Sequence, residues 1–139
     1  MKIVLDTNVL VSGLLVPFGN CGEIVRMLTS DELTLCVDSR ILVEYREVLY
    51  RPQFNIDPQK VAILIDYIQT SAEPHATKPL GKSLPDEDDN SFMQVALSSG
   101  ADCLVTGNLR HFPERCREGV RVLAPREFLD FFRRRRTST

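Results

Sequence analysis

Three carboxylates in this chain, Asp6, Glu44 and Asp89, fall where the fold implied by the sequence would gather them. The apolar run Lys2-Ile3-Val4-Leu5 ends on Asp6-Thr7-Asn8. A short apolar run bounded by polar turn formers reads as a strand buried on both faces. In a parallel α/β sheet, the residue just past the carboxyl end of such a strand lies in the ligand-binding crevice. A carboxylate there is costly to desolvate unless a cationic or hydrogen-bonding group meets it. Three converging acids point to a divalent cation, and hard oxygen ligands select Mg²⁺ or Mn²⁺ over zinc. Such an ion offsets the repulsion between the acids. It also polarises a phosphoryl oxygen and lowers the pKa of a bound water, which suits phosphodiester hydrolysis.

Helical phase, at about 100° per residue, sorts the acids. In a helix over residues 39–50 the apolar face is set by Ile41, Leu42, Tyr45, Val48 and Leu49. Glu44 borders that face and can reach the crevice, whereas Glu47 lies nearly opposite and is a solvent residue. The plainer reading of Glu44 is a boundary acid in a surface ion pair. In the helix from about Asp89 to Ser99, Phe92, Met93 and Ala96 form the inward stripe. Asp89 lies on that stripe at the helix start, where it could equally be a cap. Asp86 to Asp88 read as a solvated rim.

The strand Cys103-Leu104-Val105-Thr106 brings Gly107-Asn108 to the same sheet edge as Asp6. Thr7, Asn8, Thr106 and Asn108 are placed to orient the acids or an attacking water through hydrogen bonds. His111 offers an imidazole a little further on, although a lone histidine is usually a surface or packing residue.

The elements that must position these residues alternate. Further strands are expected at Leu33–Val37 and Val120–Leu123, with helices over Cys21–Leu28, after Asp57-Pro58, and from Pro125 onward. Val61, Leu64, Ile65 and Ile68 recur at one-sided helical spacing. Residues 74–88, with three prolines, a glycine and an acid cluster, form the longest loop. Strand–helix alternation with short connections predicts a three-layer α/β/α fold around a mostly parallel sheet of four to five strands.

At 139 residues the chain is one domain, read as residues 1–132 followed by a basic tail over 133–139. Its 43% hydrophobic and 26% charged residues exclude a disordered chain. No apolar stretch approaches the roughly 20 residues of a membrane helix, and the N-terminus lacks a signal-peptide pattern. Cytoplasm is the default location. Cys21, Cys36, Cys103 and Cys116 form no C-x-x-C pair and read as reduced thiols. Formal charge is −2; setting aside Arg133, Arg134, Arg135 and Arg136 leaves a body of −6. That run suits either phosphate-backbone contact or a solvated helix end.

Asp6-Thr7-Asn8, Glu44, Asp88-Asp89-Asn90-Ser91-Phe92 and Val105-Thr106-Gly107-Asn108 together resemble the PIN domain. More narrowly, the chain resembles the PIN toxins of prokaryotic toxin–antitoxin pairs (VapC-like ribonucleases). The likeness runs from the first strand to Pro125-Arg126-Glu127-Phe128-Leu129. It implies a metal-dependent endoribonuclease acting on single-stranded RNA, often dimeric and restrained by a cognate antitoxin. Asp6, Glu44 and Asp89 would be its metal ligands. PIN domains commonly carry a fourth acid at the position of Asn108 or three residues on, where this chain has His111.

The rival reading from another class is a catalytically weakened PIN-fold module that binds RNA or protein. An aspartyl phosphatase would want an acid where Asn8 stands. No G-x-G-x-x-G follows the first strand, so dinucleotide binding is poorly supported. A dimer could form through the Val61–Ile68 helix.

Overall fold

The structure, a computed structural model, describes residues 1–137. Five strands make one sheet in the order β3-β2-β1-β4-β5, with every neighbouring pair parallel. In chain order they are β1 (Lys2–Leu5), β2 (Thr34–Val37), β3 (Glu73–Pro74), β4 (Cys103–Val105) and β5 (Val122–Leu123). Six helices flank them: α1 (Thr7–Leu15), α2 (Asn20–Thr29), α3 (Ser39–Leu49), α4 (Pro58–Ser71), α5 (Asn90–Ser99) and α6 (Pro125–Thr137). The result is the three-layer α/β/α arrangement that strand–helix alternation requires.

The central strand β1 shows why the apolar run reads as it does. Ile3, Val4 and Leu5 have no exposed surface, because helices cover both faces of the sheet. Local signals fix several helix ends. Asp38 accepts a hydrogen bond from the Ile41 amide (3.0 Å) to start α3, and Asp57 accepts one from Gln59 (2.9 Å) to start α4. Gly100, at φ +64°, ends α5 in the left-handed conformation that glycine adopts without cost.

Four features depart from the sequence reading. Thr7–Leu15 is a helix that begins directly after Asp6. Its Val/Leu-rich, largely buried sequence lacks the one-sided 3.6-residue apolar spacing that marks an amphipathic helix. Glycines let the two helices and their turn pack closely. A Cβ at Gly13 of α1 would stand 2.8 Å from the Cys21 carbonyl oxygen of α2, and one at Gly22 would stand 1.9 Å from the Pro17 carbonyl oxygen in the turn between them. Glu73–Pro74, at the start of the expected loop, pairs with β2 as an edge strand, a place where proline is tolerated. The Val61, Leu64, Ile65 and Ile68 stripe is buried within the chain's own core, so pairing through this helix would have to use its outer face, where Ile63 is exposed.

The fourth is the basic run. Arg133 to Arg136 are the last turns of α6, not an extension beyond it; Ser138 and Thr139 lie outside the described residues. Among the described residues no single helix is long and apolar enough to cross a membrane.

Candidate active site

The sheet order turns around at β1: β2 and β3 lie to one side, β4 and β5 to the other. Such a switch point opens a crevice beyond the carboxyl ends of its two central strands. Asp6 follows β1 there and Thr106 follows β4. Asp6, Thr7, Asp89 and Thr106 are the four buried polar or charged residues among those described, and they meet at this edge. Buried polar groups destabilise unless partnered, so the fold concentrates that cost in one place.

Hydrogen bonds fix the Asp6 carboxylate. Thr106 Oγ1 donates to Asp6 Oδ2 at 2.8 Å, and Asn8 Nδ2 approaches the same oxygen at 3.3 Å. Asn8 Oδ1 accepts the Gly107 amide at 2.9 Å, so one side chain ties the two strand ends together. A Cβ at Gly107 would come within 3.2 Å of Asn8 Oδ1, tight enough to push this tie aside. Thr106 Oγ1 also accepts the Asn108 amide at 3.0 Å. Asn108 thus enters the network through its backbone.

Glu44 comes from α3 and is half-buried, while Glu47 is exposed, as helical phase predicts. The Thr7 hydroxyl donates to Glu44. Tyr45, fully buried, donates its hydroxyl to the Leu5 carbonyl at 2.5 Å and so pins α3 against the end of β1. The sequence reading saw Tyr45 only as a core residue; a phenol on an apolar helix face was the available signal, since buried tyrosines need a partner.

Asp89 sits before α5, but its side chain makes no capping hydrogen bond. Asp86 caps this region instead, accepting the Asp88 amide at 2.9 Å, and Asp86, Glu87 and Asp88 are exposed. Asn90 Oδ1 accepts the Leu84 amide (2.9 Å) and holds the preceding loop against the helix start, a role the sequence reading missed. Asp89 Oδ2 is buried and receives no hydrogen bond. His111 Nδ1 lies 3.1 Å from that oxygen, close enough for charge attraction but not aligned as a donor.

All three acids titrate above their ordinary range. Burial is the leading cause for Asp6, partly offset by hydrogen bonds from Thr106 and the Thr7 backbone. Burial and then the Asp6 charge raise Glu44 and Asp89, the Thr7 hydroxyl opposing the first and His111 the second. Asp89 is pushed up to about 6. Carboxylates that resist ionisation because they share a dry edge are suited to a hard divalent cation, which removes the repulsion.

The arginine run is not brought to these acids. Arg135 pairs with Asp102 at 2.9 Å, and Asp102 also accepts the Lys2 amide, at the amino ends of β4 and β1. Arg133 reaches Glu23 at 3.0 Å and Arg136 reaches Glu32 at 3.6 Å. A strand of four residues spans about 13 Å, which separates this edge from the carboxylates. Body acids thus engage the run at the end of α6, where cations are favoured.

The sequence model of the PIN domain family matches residues 2–110. Among solved structures, the chain is similar to a chain of VapBC2 from Rickettsia felis, determined bound to a DNA fragment from its promoter. The TM-score is 0.58 at 16% identity, covering 89% of this chain and 98% of that one. At that identity the likeness concerns the fold. No curated protein sequence matches. Asp6, Glu44, Asp89 and Asn108 all fall inside the matched segment, and the chain belongs to the PIN domain family.

Proposed function

We propose that this chain is a divalent-metal-dependent endoribonuclease that hydrolyses phosphodiester bonds of single-stranded RNA, acting in the cytoplasm as the toxin of a toxin–antitoxin pair. The observation that supports the reading is that Asp6, Glu44 and Asp89 lie near enough at the β1/β4 switch point to raise one another's pKa, with Asp89 Oδ2 buried and without a hydrogen bond. Their oxygens are not yet within 4.8 Å of one another, so an ion would draw them together. This donor set fits Mg²⁺ or Mn²⁺. Asp6, Glu44 and Asp89 would hold the ion, which supplies charge stabilisation at a phosphoryl oxygen and a water of lowered pKa.

The protein's own groups do the positioning. Thr106 and Asn8 hold Asp6 Oδ2 in one orientation, and the Thr7 hydroxyl does the same for Glu44. His111, half-exposed beside Asp89, can carry a proton to the leaving 3′ oxygen at the position where relatives commonly have an acid. Family membership supports nuclease chemistry. Likeness of fold to a chain of the Rickettsia felis VapBC2 complex supports an antitoxin partner for this chain, and assembly as a homodimer is part of the same proposal.

A second reading, a PIN-fold module that binds RNA or protein without cutting, is favoured by one observation: Asn108 stands where a fourth acid is common and joins the site through its backbone. Cleavage of a mixed pool of labelled RNAs with Mn²⁺ or Mg²⁺ separates the two. Cleavage lost in EDTA and in Asp6→Asn is expected. Binding of RNA without cleavage, together with no divalent-ion binding, would select the module.

A further inference from the structure

A second cluster of ligand-type side chains lies away from the carboxylates, where β2 meets the edge strand β3. Cys36, Glu73 and His75 each bring a ligand atom within 4.8 Å of the others. The backbone builds this grouping. Cys36 and Glu73 are directly paired across β2 and β3, and side chains two apart along a strand share a face. His75 continues the ladder, donating its amide to the Val37 carbonyl at 2.9 Å. Its Nε2 lies 2.7 Å from Glu73 Oε1. Cys36 is fully buried while Glu73 and His75 are half-buried, so the cluster has a dry inner side and an open outer one.

We propose that Cys36, Glu73 and His75 form a second metal site, for a zinc-class cation held by one thiolate, one carboxylate and one imidazole. Sulfur and imidazole nitrogen select Zn²⁺ and its neighbours over Mg²⁺ or Mn²⁺, so the two sites take different ions. Three protein ligands leave a fourth tetrahedral position open on the exposed side. With metal–sulfur and metal–nitrogen bonds of about 2.3 and 2.0 Å, ligand atoms sit roughly 3.3–3.6 Å apart. The 2.7 Å contact must open slightly, which small side-chain rotations allow.

One group competes. Lys2 Nζ holds Glu73 Oε1 at 2.8 Å and would have to swing outward on its flexible stem. Coordination then releases the Cys36 proton to solvent, and thiolate plus carboxylate neutralise the cation. Burial raises the Cys36 thiol, and the Ser99 hydroxyl beside it partly offsets this. The consequence is structural: β3 is only two residues long, and the ion would clip it, with the start of the loop that leads to Asp89, onto β2.

Cobalt titration of the full chain, with a non-thiol reductant, tests this without reference to nuclease activity. A thiolate-to-Co²⁺ charge-transfer band saturating at one ion per chain, and bleached by Zn²⁺, is expected. Cys36→Ser should abolish the band. His75→Gln, at a side chain about one-fifth exposed, should weaken Co²⁺ binding at least about tenfold while far-UV circular dichroism shows the fold kept. Asp6→Asn and Cys116→Ser should keep the band, and Lys2→Met should tighten binding by removing the competing ammonium. Absence of the band in the natural sequence, its survival in Cys36→Ser, or unchanged affinity in His75→Gln would each overturn the proposal.

Discussion

Thr106 Oγ1 donates a 2.8 Å hydrogen bond to Asp6 Oδ2, joining residues 100 positions apart across the two central strands. Thr106 has no exposed surface and Asp6 only 6%, so neither has water as an alternative partner. Thr106→Val keeps the shape and removes the donor. It should weaken Mn²⁺ binding by about 10–100-fold, as loss of a supporting hydrogen bond does elsewhere. It should also cost about 1–3 kcal/mol of stability, since a buried carboxylate loses its best donor. Calorimetric titration and denaturant unfolding measure the two effects; normal metal affinity would show that Asp6 does not need this restraint.

Asp6→Asn removes one of three mutually repelling acids. RNA cleavage should fall to background and metal binding should weaken, while the melting temperature of the metal-free protein stays level or rises. A clear loss of stability would mean that Asp6 is held for packing reasons rather than for a ligand.

Glu44 and Glu47 share one helix and differ in phase. Glu44→Gln should abolish cleavage, and Glu47→Gln should leave it unchanged, because Glu47 is exposed on the far side of α3. Paired cleavage assays decide this, and loss in Glu47→Gln would contradict the observed helix orientation.

Asp89 carries a pH dependence of defined sign. Its folded-state pKa is raised to about 6 from an ordinary 3.8, so the native state prefers the protonated carboxyl. The stability this group contributes is full below about pH 4 and is lost as pH rises through about 6. Two units amount to about 3 kcal/mol at most, and sharing with Asp6, Glu44 and His111 reduces that to about 1–2 kcal/mol. Asp89→Asn should therefore stabilise the metal-free protein at pH 7.5 and lose that advantage by pH 4. Melting in EDTA across this range checks it, and added Mn²⁺ should reverse the order of the two proteins at pH 7.5.

The arginine run gives a contrast. Arg133→Ala removes an exposed pair with Glu23 and should cost no more than about 1 kcal/mol, with cleavage rate unchanged. A large drop in RNA affinity would bring the run back as a nucleic-acid contact.

How much could be read in the residues alone varies with the range of the interactions. The strand at Lys2–Leu5, the helix start at Asp57-Pro58 and the opposed phases of Glu44 and Glu47 are local, set within one or two turns of chain, and the sequence determined them. It determined the α/β class too, because alternation of strands and helices is a pattern along the chain.

Tertiary structure alone decided the rest. The sequence offered Asp89 as cap or ligand; only packing shows that it caps nothing and keeps a buried oxygen without a donor. It offered the arginines as phosphate contacts or helix end, and their pairing with Glu23, Glu32 and Asp102, which lie far away in the chain, could not be read from the run itself. The α1 helix, its packing face hidden in a uniformly apolar segment, and the two-residue β3 took their form from neighbours rather than from propensity. Hydrogen bonds and ion pairs between distant segments leave no periodic trace in sequence, because their energies depend on where the sheet order and helix packing bring side chains together.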